Sequence, residues 1–210
     1  MMIFVPSPSP VILSLLLGLM LMTLEVSLAA VPCTPAKGKT ALLIGQDYKS
    51  IVEYSKAMEK PMGYMTYTAI NFNSSASLAG LKFPVDYGSG IEWAKGLLDL
   101  PSVSSLQIGL YLVNSCGYIM TGLLDAYIDE LGMFLKKYPE HSIYLRIGYE
   151  FDSEENNYPT VDYVGAFRRI VKRFEKLQVN NTAFVWHASG FKPRDGMTIE
   201  RNHTILNQLF

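Results

Sequence analysis

The sequence predicts an α/β fold in which helices cover a parallel sheet. Compact apolar runs of strand length recur from residue 40 onward. Capped or amphipathic segments of helical length separate these runs. Strand and helix therefore alternate about five times, which is typical of parallel strands connected by helices.

The first unit follows a short leader, residues 31–39, that contains Pro, Gly and Lys. Thr40–Ile44 is the first predicted strand. Ser50-Ile-Val-Glu53 has capping-box spacing and predicts a helix that ends at Lys60-Pro61, because a residue before proline disfavours helical geometry. Gly63–Ile70, rich in Tyr and Thr, is the second predicted strand.

The second unit begins after a more polar stretch, Asn71 to Tyr87. Ser89-Gly-Ile-Glu92 is a second capping box and predicts a helix that ends before Pro101. Leu106–Val113 is the third predicted strand, and Asn114 follows it.

The third unit contains a longer helix that Asp125 caps. Its apolar face consists of residues at spacings of three and four: Ile128, Leu131, Leu135 and Tyr138. Pro139 ends this helix. Ser142–Ile147 is the fourth predicted strand, and it leads to Glu150.

The last predicted helix has two different faces. The apolar stripe consists of Val164, Phe167, Val171 and Phe174, and the opposite face carries Arg168, Arg169, Lys172 and Arg173. Charge on the outer face of an amphipathic helix is usually solvated, so we do not predict a binding surface there. Thr182–Trp186 is the fifth predicted strand, and His187 follows it.

The N-terminus predicts export. Val11–Leu24 is uncharged and apolar, yet shorter than the roughly 20 residues of a membrane span. Ser27-Leu-Ala-Ala30 supplies the small residues of a cleavage site, so residues 1–30 are predicted to be a secretory signal peptide and the protein to be secreted. An uncleaved anchor is the alternative, since the first ten residues lack Lys and Arg. After cleavage no membrane span is expected.

Two further features bear on an extracellular protein. Asn73, Asn180 and Asn202 begin glycosylation sequons. Cys33 and Cys116 are the two cysteines, and in an oxidising compartment they can pair. Two free thiols are the alternative.

Several classes of function lack support in the sequence. The 18 Lys and Arg balance 19 Asp and Glu, so no strong field would gather nucleic acid. Gly88-Ser-Gly90 is followed by Trp93, where a dinucleotide fingerprint requires glycine, and no Walker loop occurs. His and Cys lack zinc-site spacing, and no serine lies in a nucleophile elbow. We therefore predict no cofactor and no metal.

Carboxylates, amides and aromatics at the predicted strand ends form the remaining candidate site: Gln46, Asp47, Asn114, Glu150, Asp152, Trp186 and His187. Such residues suit a polysaccharide, because aromatic faces stack on sugar rings while polar groups bind hydroxyls. Structural alternatives remain open: a cap or surface ion pair for Glu150, and packing for Trp186 and Tyr149. Arg146 is predicted to pair with a carboxylate inside the sheet.

One segment carries a family resemblance. Tyr144-Leu-Arg-Ile-Gly-Tyr-Glu-Phe-Asp152, together with Asn157-Tyr158 and Phe184-Val-Trp-His187, resembles the central part of glycoside hydrolase family 26, which includes secreted β-mannanases. The likeness extends from Thr40 to roughly Glu200. It implies a (β/α)8 TIM barrel of a retaining glycosidase, with an acid/base glutamate after strand four, at Glu150, and a nucleophile glutamate after strand seven.

The chain departs from that family in two ways. Tyr149 and Asp152 replace the His and Asn of the family's mannanases, which argues against mannan. Residues 40–210 fit only about five of the eight units, so an incomplete barrel is expected, without the nucleophile. The expected function is hydrolysis of β-linked polysaccharide, and the alternative is an inactive glycan-binding protein or a non-functional truncated product. In the full-length enzyme we predict that the glycan cleft is lined by Asp47, Asn114, Tyr149, Asp152, Trp186 and His187.

Overall fold

The computed structural model describes residues 33, 35, 37–72, 76–101, 103–153 and 155–189. The predicted signal peptide and the sequons at Asn73 and Asn202 lie outside the described residues. In chain order the elements are β1 (Leu43–Ile44), α1 (Tyr48–Ala57), β2 (Gly63–Ala69), β3 (Val85–Asp86), β4 (Ile91–Glu92), α2 (Ala94–Leu98), β5 (Ser105–Tyr111), α3 (Cys116–Thr121), α4 (Asp125–Leu135), β6 (Ser142–Ile147), α5 (Thr160–Leu177) and β7 (Thr182–Val185).

Five of the strands form one parallel sheet in the order β1-β2-β5-β6-β7. Each new strand is added to the same edge, and the helices between them make the crossovers. In register, Gly63 pairs with Ser105, and Ser105 pairs with Ser142. The predicted α/β class with a parallel sheet is confirmed, and the sheet is compatible with part of an α/β barrel.

The two faces of this sheet differ in burial. On β5, Leu106, Ile108 and Leu110 point to the helix side and are fully buried. The alternate residues, such as Gln107 and Tyr111, are only partly buried because they point to the other, inner face. The core therefore lies between the sheet and the helices.

Strand placement agrees closely with the sequence. β6 occupies Ser142–Ile147 as predicted, and β2 ends one residue earlier than predicted, at Ala69. β5 begins one residue early, at Ser105, and ends at Tyr111 rather than Val113. The first strand is shorter than predicted, because only Leu43–Ile44 forms ladder hydrogen bonds.

The first predicted capping box, at Ser50, is wrong, because α1 begins before it. The helix begins at Tyr48, and Asp47 is its N-cap. Asp47 Oδ1 accepts hydrogen bonds from the backbone N–H groups of Lys49 and Ser50, at 3.0 and 3.1 Å, and Oδ2 accepts one from the Ser50 hydroxyl. Asp47 thus pairs the donors of the first turn and starts the helix before Ser50.

The second capping box is also wrong. Val85–Asp86 and Ile91–Glu92 form an antiparallel hairpin, and the helix that follows, α2, has only five residues. Asp86 Oδ1 accepts hydrogen bonds from the N–H groups of Gly88 and Gly90, and both glycines have positive φ. The turn is therefore closed by Asp86, and the Glu92 side chain is free to contact β2 instead of capping a helix.

The basic face of α5 is not simply solvated. Arg169 forms a bidentate ion pair with Asp125, at 2.6 and 2.7 Å, and Arg173 bonds both Asp125 and Asp129. These ion pairs join α5 to α4. Asp125 is the first residue of α4 rather than its cap, because its carboxylate bonds the arginines.

The two cysteines are both free in the structure. Cys33 Sγ lies 3.7 Å from the Ile143 carbonyl, at the start of β6, whereas Cys116 lies in α3, after the end of β5. A strand length of about 20 Å separates the two ends of the sheet, and a disulfide requires Cα atoms within about 7 Å. The Cys33–Cys116 pairing is therefore not formed.

Among the residues that the structure describes, no helix has the length and apolar character needed to cross a bilayer.

Candidate functional site

Glu150 lies in a sharp turn directly after β6. Gly148 and Glu150 both have left-handed backbone conformations, with φ of +56° and +53°. The Asn156 side-chain amide donates hydrogen bonds to the carbonyls of Tyr149 and Glu150, each at 3.1 Å. A left-handed conformation costs a non-glycine residue about 1 kcal/mol and persists where surrounding contacts hold it, often at functional sites. The turn thus fixes the position of Glu150.

His187 connects this turn to the end of β7. The Glu150 backbone N–H donates to His187 Nδ1 at 3.1 Å, and Arg146 Nη1 lies 3.4 Å from His187 Nε2. Both ring nitrogens therefore face donors, and a protonated ring would have no acceptor for either. Burial and the Arg146 charge lower the pKa of His187, against the opposing charges of Glu150 and Asp152. The lowered pKa favours the neutral ring, whose Nδ1 positions the Glu150 backbone.

Asp152 ties the loop after β6 to the segment after β7. Its side chain is buried, and Oδ1 accepts a hydrogen bond from the Ser189 N–H at 2.6 Å. A second bond runs from the Phe151 N–H to the His187 carbonyl, at 3.3 Å. Asp152 therefore holds the loop after β6 against the segment that follows β7.

Arg146 lies on the inner face of β6 and is only 7% exposed. Its guanidinium carbon is 5.4 Å from the ring centroids of both Tyr67 and Tyr149. Gly109, its neighbour on β5, leaves the space for this stack: a Cβ there would lie 2.5 Å from the Tyr67 ring.

The predicted ion pair of Arg146 is not formed. Within the described part of the chain, no carboxylate lies within 4 Å of its guanidinium, and Nε has no hydrogen-bond partner. Arg146 contacts aromatic rings and His187 instead. Arg146 is therefore a nearly buried cation without a carboxylate partner among the described residues.

A cavity of about 440 Å³ opens beside Tyr149, at the carboxyl end of the sheet. It is lined by Gln46, Tyr67, Thr68, Ala69, Asn71, Tyr87, Ser89, Glu92, Tyr111 and Tyr149. The Tyr149 ring lies 5.4 Å from that of Tyr67 and 6.0 Å from that of Tyr111. Burial raises the pKa of Tyr149 to about 12, so its hydroxyl remains protonated. Aromatic walls with a few polar groups are typical of small-molecule sites of this size.

Two other predicted cleft residues, Asn114 and Trp186, lie away from this cavity. Asn114 is exposed and lines a second cavity, beside α3 and Asp162. Trp186 packs against Phe151 and Phe167, at 4.4 and 5.6 Å between ring centroids, as part of the helix-side core. Asn114 and Trp186 therefore do not line the cavity beside Tyr149, whereas Asp47, the N-cap of α1, directly follows Gln46, which does.

Eight of the ten residues that line this cavity were missed by the sequence analysis, among them Tyr67, Tyr87, Tyr111 and Glu92. Tyr67 and Tyr111 carried a signal, since each lies at an inner-face position near the end of a predicted strand. No sequence pattern indicated that Glu92 lines a cavity, because its spacing from Ser89 fits a capping box.

Comparison with known proteins places these features in context. No family model matches the chain. Over 152 residues, 71% of the chain, it is 30% identical to the β-1,3-xylanase TXYA of a Vibrio species, and this stretch is 32% of that protein. A β-1,3-xylanase of an Alcaligenes species shows 30% identity over 152 residues, 31% of its length. The chain thus spans about a third of the length of these curated relatives. The similarity supports a relationship to glycoside hydrolases.

Proposed function

We propose that this chain carries the first part of a (β/α)8 glycosidase barrel of the family 26 type, which hydrolyses β-linked polysaccharide with Glu150 as general acid/base. One observation carries the proposal: Glu150 is held in a fixed turn at the carboxyl end of the fourth parallel strand, directly after Tyr149, which lines an aromatic cavity. Barrel enzymes place their reactive groups at this end of the sheet.

The proposed chemistry needs two carboxyl groups. In a retaining glycosidase one protonates the leaving oxygen and the other attacks the anomeric carbon, with the two groups about 5–5.5 Å apart. Glu150 takes the first role, and His187 holds its backbone. We propose that the nucleophile is supplied by residues outside the described ones.

The state of Arg146 supports a second carboxylate. A nearly buried cation is costly unless it is paired, and Arg146 has a free Nε on the inner face. An acidic side chain from a later part of the barrel would pair with it there. Such a group would also lie on the same face of the sheet as Tyr149.

The substrate class follows from the relatives and from the site. Both curated relatives are named β-1,3-xylanases, so β-1,3-xylan is the first substrate to test. Tyr149 stands where the family's mannanases carry His, which argues against mannan. The tyrosines around the cavity offer ring faces for sugar stacking.

We also propose that the protein is exported. The apolar run before Ala30 and the small residues that precede it support this proposal. Asn180 is exposed on the turn between α5 and β7, where a glycan would not disturb the core. N-terminal sequencing of the protein from the culture medium tests this: a start near Val31 is expected, and an intact Met1 in the cell membrane would contradict it.

The test of activity compares two glutamates on the same loop. The protein, expressed from the longest reading frame of its transcript, is assayed for reducing-sugar release from β-1,3-xylan, β-1,4-xylan, β-mannan and β-glucan. Glu150→Gln is expected to lower kcat at least about 100-fold, as loss of a general acid does. Glu155→Gln, at an exposed position, is the matched control and should keep full activity. Equal activity of the two variants would overturn the assignment.

The same aromatic cavity supports a second candidate, a glycan-binding protein without hydrolytic activity. In that case the protein is retained on a β-xylan affinity gel and releases no reducing sugar. A protein that is not retained on the gel and releases no reducing sugar would contradict both candidates.

A further inference from the structure

Glu92, at the end of the hairpin strand β4, is a buried carboxylate with only one of its oxygens bonded. The residue is 1% exposed. Oε2 accepts hydrogen bonds from the Thr66 hydroxyl at 2.7 Å and from the Tyr67 N–H at 3.1 Å. Oε1 has no partner in the described part of the chain.

A purely structural role explains only Oε2. That oxygen pairs a β2 hydroxyl and a β2 N–H that would otherwise lack partners, and so attaches the hairpin to the sheet. Leaving Oε1 unpaired costs free energy, because a buried acceptor has lost its water. Burial raises the pKa of Glu92, and the nearby charges of Asp47 and Asp86 raise it further.

The free oxygen belongs to a residue that lines the aromatic cavity. Tyr67, Tyr87 and Tyr111 form other parts of its wall. The Tyr87 hydroxyl donates to the Ala79 carbonyl at 2.9 Å, which holds that ring in place. A single charged acceptor among fixed aromatic rings is an arrangement that binds a hydroxylated ring compound.

We propose that Glu92 is a substrate-binding residue whose Oε1 bonds a hydroxyl of the sugar unit next to the one cleaved at Glu150. This rests on the proposed function. A sugar hydroxyl donates to a carboxylate oxygen, so it would supply the partner that Oε1 lacks among the described residues. Tyr149 connects the two positions, because it lines the cavity and directly precedes Glu150.

The principal test measures affinity rather than turnover. β-1,3-linked xylotetraose, laminaritetraose and mannotetraose are titrated by calorimetry into the Glu150→Gln protein, with and without Glu92→Gln. The glutamine amide oxygen keeps the bonds to Thr66 and Tyr67, while its NH2 group replaces the acceptor Oε1. Loss of a charge-assisted bond should raise Kd for the bound tetrasaccharide about tenfold, with an unchanged Tm. Glu53→Gln, at an exposed position of α1, is the control and should leave Kd unchanged.

A second variant tests the same cavity without changing a buried residue. Ser89 is exposed and lines the same cavity, so Ser89→Trp fills the space without entering the core. It should also weaken binding at least about tenfold, because the bulky ring occupies the place of the sugar.

The outcomes separate this inference from the function on which it rests. A Kd within twofold of the parent value for Glu92→Gln would overturn the role of Glu92, whatever the Ser89→Trp result, and would leave Glu150 untouched. Full hydrolysis by Glu150→Gln would overturn the proposed function, whatever the Glu92 result. Failure of all three tetrasaccharides to bind would overturn both.

Discussion

The two faces of the parallel sheet differ in the groups that their side chains contact. On the helix side, Ile143, Leu145 and Ile147 of β6 are fully buried in one apolar core. On the inner side, the same strand carries Tyr144 and Arg146, which contact polar groups and rings. The helix side has its apolar partners in place, whereas the inner side keeps polar atoms without partners among the described residues.

This contrast indicates how stability and function are distributed. Burial of apolar area on the helix side stabilises the fold. Unpaired buried polar atoms, at Arg146 on the inner side and at Glu92 on the hairpin that lines the cavity, cost stability and are retained where a ligand or another segment pairs them. Substitutions should therefore divide by face: those on the helix side unfold the protein, and those on the inner side change binding.

The largest expected effect tests this division on adjacent residues of β5. Leu106 is fully buried on the helix side, and Gln107 points to the inner face. Leu106→Ala should lower the free energy of unfolding by about 3 kcal/mol, through lost burial and a cavity. Gln107→Ala should change it by less than about 1 kcal/mol. Urea unfolding measures both, and equal losses would contradict the division between the faces.

The next effect concerns the ion pairs between α4 and α5. Asp125→Asn weakens the bonds to Arg169 and Arg173 and should cost about 1.5 kcal/mol at pH 7, a value reduced by partial exposure.

The stability difference between wild type and Asp125→Asn should depend on pH in a defined direction. Hydrogen bonding to Arg169 lowers the pKa of Asp125 in the folded protein. Its stabilisation is therefore complete above the unfolded value of about 3.9 and is lost as pH falls through the lower folded value. Urea unfolding at pH 7 and at pH 2.5 should show the difference between wild type and Asp125→Asn shrinking in acid. A difference that grows in acid would contradict the assigned pairing.

A smaller effect separates a helix cap from a substrate contact. Asp47→Ala should lower the free energy of unfolding by about 1 kcal/mol, because α1 loses its N-cap. Asp47→Ser, which keeps a capping oxygen, should restore most of this loss. Tetrasaccharide affinity should be the same in both variants, and a lower affinity would return Asp47 to the substrate site.

The smallest effect is on the inner face. The lowered pKa of His187 means that its ring stays neutral at pH values where a free histidine is protonated. NMR titration of the His187 ring should give a midpoint below about 6.5. Folding stability should fall as pH drops from about 6.5 to that lower midpoint, because in this range the unfolded chain binds the proton more readily than the folded protein. A midpoint above 6.5 would show that the Arg146 contact is absent in solution.

Much of the fold was predictable because a strand segment can be recognised from a short local sequence pattern. Ser142–Ile147 is an apolar segment of strand length with a clear start and end, and its limits were predicted correctly. Glu150 was found for the same reason, since it follows that strand within three residues.

The cavity was not predictable, because it depends on contacts between distant segments. Glu92 has the spacing of a capping box, yet its carboxylate bonds Thr66 and Tyr67, 26 and 25 residues earlier. Nothing in the local sequence distinguishes these two uses of a glutamate. The short helix α3 was missed as well, since six residues are too few for a periodic pattern.

Gly109 has a consequence for how relatives of this protein can be recognised. Any side chain at that position would collide with the Tyr67 ring and approach the Arg146 guanidinium. Glycine is otherwise disfavoured inside a strand, so its presence there reports the stack beneath it. A glycine in the third strand, opposite an arginine in the fourth, is thus a two-position signature by which genome sequences can be searched for the same inner face.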